Sequence, residues 1–131
     1  MLSSIKTSEE NKERVSELTY KLQLGAENVI ARLALAYSLS KDSNLELKDI
    51  KDSKGKEYSK RVLFGEHFSF YVSLISQKYS LYKSNQEIPR YIKLHIDHGI
   101  ELIHEELADN PNLLGTDFLL GIVTEGLEKI N

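Results

Sequence analysis

With 131 residues, 40% of them hydrophobic and 28% charged, the chain has the size and make-up of one domain spanning residues 1–131, and no disordered class fits it. It has no cysteine, which excludes disulfides, thiolate zinc sites and thiol catalysis. The net charge of −3 is uneven: residues 1–40 balance, residues 41–93 carry +4 and residues 94–131 carry −7, so only the middle suits a polyanion.

Ser3 to Thr7 alternates weakly around Ile5 and admits a very short strand. Thr7 and Glu10 have the spacing of a capping box, and Val15, Leu18 and Leu22 line one face of the helix that follows. Gly25 is its expected stop. The next stretch, Ala26 to Leu39, organises the chain. It reads AENVIARLALAYSL, apolar on nearly every side, which predicts a buried central helix. At about 21 Å it is too short to cross a bilayer. Arg32 interrupts the run and must find a carboxylate, reach solvent or touch an anion, because burying it unpaired costs several kcal/mol. It is therefore read as structural, with Leu33 and Tyr37 beside it serving the core or an assembly contact. The order strand, helix, turn, helix also describes ribbon-helix-helix DNA-binding domains.

Ser40 to Ser59 is polar and rich in Lys, Asp and Ser, and predicts a long surface loop turning at Gly55. Val62, Leu63 and Phe64 then return to the interior. Helical periods recur over His67–Tyr82, from Pro89 to about Ala108, and after Thr116 or Asp117. The fold expected is a compact, mostly α bundle of about five helices, possessing at most a short N-terminal strand. The N-terminal residues have no apolar signal segment and no stretch spans a membrane, so a cytoplasmic protein with no membrane partner is expected.

Two groups could carry chemistry. His95, His98, Glu101 and His104 share one helix at spacings that could present metal ligands, but no HExxH or paired ExxH motif is present, and a solvated acidic face is the reading preferred. No GxSxG, GxGxxG or GxxxxGK[ST] motif exists, so neither a catalytic residue nor a cofactor is expected. The second group is basic. Lys48, Lys51, Lys54, Lys56, Lys60 and Arg61 cluster around Gly55, with Lys12 and Lys21 on the first helix as reserves. Lysine contacts phosphate as a point charge and carries no sequence information.

Three segments resemble the DndE family. LQLGAENVIARLALAYSLS is similar to its glycine turn and apolar helix with one arginine, GKEYSKRVLFGEH to its second block, and HIDHGIELIHEEL to its third; together they run from about Ile5 to Leu107. The resemblance implies an accessory protein of bacterial DNA phosphorothioation, in which sulfur replaces a non-bridging backbone oxygen. It implies a small helical subunit that assembles as a tetramer and binds nicked double-stranded DNA. The implied partners are a cysteine desulfurase, an iron–sulfur ATP pyrophosphatase-like protein and an SMC-like ATPase. Arg32 falls at the family's arginine position.

Two functions follow from these readings. One is a non-enzymatic DNA-binding subunit. The other is an oligomeric scaffold that docks modification proteins through the acidic residues 97–128; a metal-dependent nuclease is a weaker third. A homo-oligomer is expected because the run from Val29 to Leu39 offers more apolar surface than one small domain covers, with Tyr71, Tyr79 and Phe118 adding to it.

Overall fold

The computed structural model describes residues 4–130, with side chains as far as Glu128. β1 (Ser4–Lys6) leads into α1 (Glu9–Leu22) and α2 (Glu27–Ser40). After a polar segment come β2 (Glu57–Ser59), a five-residue α3 (Lys60–Phe64), α4 (Phe68–Tyr79), α5 (Ile88–Asp109) and α6 (Gly115–Ile130). The fold is mostly α, with the five long helices expected. No helix among the described residues is long and apolar enough to cross a membrane.

The centre is the pairing of α2 with α5. Ile92, Ile96, Ile100 and Ile103 recur at helical spacing on α5 and are fully buried, as are Ile30, Ala31, Ala34 and Leu35 on α2. Gly99 allows the two backbones to meet: a Cβ there would stand 1.9 Å from the Ala34 carbonyl oxygen. Gly99→Ala should therefore force the helices apart and cost about 1–3 kcal/mol, read as a lower urea midpoint at an unchanged slope.

Most polar details follow from where the chain must dock. Ser8, rather than Thr7, caps α1, its hydroxyl accepting from the Asn11 amide at 3.2 Å. The Thr7 hydroxyl is already engaged, accepting from the Lys56 amide at 2.9 Å and donating to the Ser8 carbonyl. α1 stops at Leu22 because Gln23 takes the left-handed conformation (φ 54°), two residues before the glycine expected to end it. α4 stops at Tyr79 in the same way, with Ser80 left-handed, and its first turn is preceded by a 3-10 turn at Gly65–His67.

β1 pairs antiparallel with β2, Ile5 opposite Tyr58, and both side chains are buried. The strand–helix–helix start is therefore present in order, while its strand is closed by the chain's own β2. The "loop" before α3 thus contains a strand that the sequence reading missed.

Most of α2 is covered by the chain itself, with Ala36 exposed and Val29, Leu33 and Leu39 half-buried. α3 lies on α2, where Asn28 Nδ2 donates to the Val62 carbonyl and Arg32 Nη1 to the Leu63 carbonyl, each at 3.2 Å. Leu63 and Phe64 are buried, and Tyr71 packs on the Phe64 ring at 5.2 Å. On the next side Phe118 of α6 meets the Tyr37 ring edge-on at 5.4 Å, and Phe118 is itself buried. Leu33 is half-buried against the same core. Tyr79 stacks on Tyr91 at 3.8 Å.

Arg32 is structural in an unexpected way. It is half-buried and holds a carbonyl at the end of α3, and forms no ion pair among the described residues. No orphaned carboxylate would remain after truncation. Arg32→Ala should cost about 1–2 kcal/mol, from one charge-assisted hydrogen bond and the stem's packing, rather than the loss expected of a broken buried pair. A thermal melt of the purified variant checks this.

Candidate nucleic-acid interface

The segment from Lys51 to Lys56 is polar because its partners are polar. Asp52 Oδ1 accepts from the Glu9 amide at 2.9 Å and from the Lys54 amide at 3.0 Å, and these two amides hold its carboxyl below the usual range. The Gly55 amide donates to the Thr7 carbonyl, and the Thr7 amide to the Lys56 carbonyl, both at 2.9 Å. A side chain at position 55 would meet the Ser8 carbonyl oxygen at 2.1 Å, so glycine lets the segment lie flat on the start of α1. The loop is a strap pinned to the N-terminus of α1.

Beneath the strap is a buried ionic node. Lys93 and Asp97 stand one helical turn apart on α5, with side chains 7% and 4% exposed. Lys93 Nζ donates to Asp97 Oδ2 and to the Asp52 carbonyl, each at 2.7 Å. Asp97 Oδ1 accepts from the Ser8 amide at 3.0 Å and from Asn11 Nδ2 at 2.8 Å. One carboxylate thus joins α5, the strap's lysine anchor and the positive end of α1. This corrects two sequence readings: Asp97 is not part of a solvated acidic face, and the basic stretch is not a loose loop.

The strap fixes some cations in pairs and leaves others free. Lys51 is paired with Glu101, which also lies 3.9 Å from Arg14. Lys56 reaches Glu27 at 3.4 Å, and Lys48 reaches Glu46 at 3.1 Å in a largely exposed pair. Lys60 Nζ sits over the Phe68 ring, 4.3 Å from its centroid. Among the described residues Lys12, Lys54 and Arg61 form no ion pair, and all three are exposed. Ser16, one turn beyond Lys12, donates to Glu27 at 2.7 Å, the same carboxylate that receives Lys56. Lys12 is thereby brought beside the strap. Lys21 is not: it pairs with Glu17 at 3.0 Å, and nine residues at 100° each place it on the opposite side of α1 from Lys12. A second cleft of about 300 Å³, at the start of α5, is lined by Lys6, Arg90 and Lys93. Each of those cations is matched there by a carboxylate, Glu57, Glu87 and Asp97 respectively.

The histidines are drawn inward. The Tyr79 hydroxyl donates to the Leu45 carbonyl at 3.1 Å, so its oxygen accepts from His95 Nε2 at 2.7 Å. His95 Nδ1 is then bare and accepts from Ser38 Oγ at 2.8 Å, and that hydroxyl accepts in turn from His98 Nδ1 at 2.8 Å. Every proton in the chain has one place. Ser38 and His95 are fully buried, so this serine has no route to a substrate. His104 lies 3.9 Å from Glu17 instead of beside the other two. Among the described residues no group of three His, Cys, Asp or Glu is arranged to hold a metal.

Fold and surface together define a small helical protein, clamped by a buried ion pair, with exposed cations that form no ion pair among the described residues on α1 (Lys12), the strap (Lys54) and α3 (Arg61). Residues 4–110 match the family model of the DNA sulphur modification protein DndE, and the chain belongs to the DndE family. That family is involved in DNA phosphorothioation. The fold is similar to the crystal structure of DndE from Escherichia coli B7A involved in DNA phosphorothioation modification, at 17% identity and a TM-score of 0.63, covering 79% of this chain and 99% of that one. It is equally similar, at 20% identity, a TM-score of 0.63 and the same coverage, to a glycine-to-lysine mutant of DndE involved in DNA phosphorothioation. No curated protein matches the chain.

Proposed function

We propose that this protein is a non-enzymatic DNA-binding subunit of a bacterial phosphorothioation system. It holds duplex DNA, nicked duplex included, through backbone phosphates and works as a homo-oligomer beside the SMC-like ATPase and the ATP pyrophosphatase-like protein. The observation that carries the reading is the set of exposed cations on α1, the strap and α3: Lys12, Lys54 and Arg61 form no ion pair among the described residues, and Lys56 and Lys60 are held by a carboxylate and a ring. A pinned strap presents its charges at little ordering cost, and repetition in an oligomer would multiply a modest patch. Lys51, engaged with Glu101, and Lys21, on the far side of α1, are the weakest of the candidates.

Binding of intact and nicked duplexes at two salt concentrations tests it. Replacing Lys12, Lys54 and Arg61 together by Ala should lower the slope of log K against log salt by about three and weaken all sequences alike. Thermal stability should change little, because exposed cations contribute little to folding. Unchanged binding at low salt would place the contact elsewhere. No binding by the parent chain to either duplex would leave the scaffold reading, with exposed Glu105, Glu106 and Asp109 as its docking face.

A further inference from the structure

Apolar surface is left over on α6. Leu120 is 63% exposed, Val123 57% and Leu127 55%, with Leu119 and Leu114 exposed beside them. The same helix already has one apolar face in use: Phe118 and Ile122 pack on the core, and Glu125 reaches Lys41 at 3.5 Å. Residues 120, 123 and 127 fall on the opposite side. They belong to a series, Thr116, Leu120, Val123, Leu127 and Ile130, spaced four, three, four and three. That is the seam of a coiled coil rather than scattered surface leucines. The family match ends at residue 110, so α6 lies outside it.

We infer that α6 is a self-association helix whose outer seam packs against the same seam of another copy of this chain. Three observations favour a like partner. The positions flanking the seam are Asp117, Leu119, Thr124 and Gly126, so a single charge stands where coiled coils select a partner by charge, and identical helices meet no ladder of like charges. Space is open at Gly126 beside the seam, where an added Cβ would touch nothing, so a second helix can approach closely. Covering the exposed side chains on two copies would remove on the order of 1,000 Å² from water, the lower bound for a specific interface. Leucine at 120 and 127 with β-branched residues at 123 and 130 also accommodates more than two helices in a parallel bundle. The seam rests on the oligomer of the proposed function and gives it a surface, yet its pairing stands or falls without DNA.

The absence of cysteine makes the test direct. Single variants Leu120→Cys, Val123→Cys and Leu127→Cys of the full chain are oxidised at low micromolar concentration, with Glu128→Cys as the exposed position off the seam. At least one seam variant should form covalent dimers at least fivefold faster than the control. A parallel pairing should link all three, an antiparallel one chiefly the central position. In parallel, Leu120→Glu with Leu127→Glu should at least halve the mass seen by light scattering while the helical circular dichroism is kept. Equal rates for seam and control, or an unchanged mass in the folded double variant, would overturn the inference. Both readouts use protein alone, so a failure of DNA binding leaves them unaffected.

Discussion

Asp97→Ala should lower the unfolding free energy by about 3–5 kcal/mol, which is a third or more of what a domain of this size typically possesses. The size follows from what is stranded. Lys93 would keep only the Asp52 carbonyl, at 2.7 Å, for a charge whose side chain is 7% exposed. The Ser8 amide would lose its acceptor at the start of α1, and Asn11 Nδ2 would keep only the Asp97 backbone carbonyl, at 3.2 Å. Each is a buried donor that water does not reach. Urea unfolding followed by helical circular dichroism measures the loss. The cycle with Lys93→Met separates charge from caps: Lys93→Met/Asp97→Ala should recover part of the loss, because no orphaned ammonium remains, while the unpaired Ser8 amide and the carboxylate bond lost by Asn11 keep the rest. A loss under about 1 kcal/mol for Asp97→Ala would mean that water reaches the node. Because Asp97 sits under the strap, the same variant should also weaken the DNA binding proposed above through disorder of the cations, with no cation removed.

This node shows where reading the sequence stops. The helices on either side of it were legible because Ile92, Ile96, Ile100 and Ile103, like Val15, Leu18 and Leu22, repeat at helical spacing. Lys93 and Asp97 lie four apart among those same isoleucines, and that opposite-charge pair inside an apolar run was the available signal. It was lost because the histidines and glutamates nearby made the face look solvated. Periodicity places one stripe of α5 inside; residues 92–97 are buried on every side because β1 and the strap cover what would otherwise be the wet face. That cover is tertiary, and β2, three residues with Tyr58 alone buried, has too short a pattern to announce it. Arg32 was recognised as a charge needing a partner, but its partner is a carbonyl 31 residues away, to which no residue type points. The basic stretch was visible as composition. Which of its lysines are free depended on Glu27, Glu46 and Glu101, two of which come from α2 and α5. The apolar surplus was expected on α2, where burial turned out to be supplied by α3 and α6. An exposed apolar surplus stands on α6 instead, at Leu120, Val123 and Leu127.

Stability should fall by about 3 kcal/mol between pH 6.5 and pH 4, and His95 is the cause. Burial pushes its imidazole from 6.5 down to about 4, and the positive charges of Lys78 and His98 push the same way. In the unfolded chain the ring takes its proton near 6.5. Between those values the unfolded state binds more protons, so acid favours it. The contribution is complete above pH 6.5, declines as pH falls through the interval and is gone below about 4. The hydrogen-bond chain gives this a structural form: a proton on His95 Nδ1 removes the only acceptor for the Ser38 hydroxyl, which already accepts from His98 and must then turn. His98 is itself held below its ordinary value, chiefly by burial. Carboxylates also titrate toward pH 4, and a single curve would mix them in. Urea midpoints of the parent and of His95→Gln, compared at pH 7 and pH 4.5, isolate the ring because both chains carry the same acids. The glutamine variant lacks the titrating group, so the difference between the two proteins should shrink by about 2–3 kcal/mol on acidification. A difference that stays constant with pH would show that His95 is already charged in the folded protein, or that water enters the relay and solvates it.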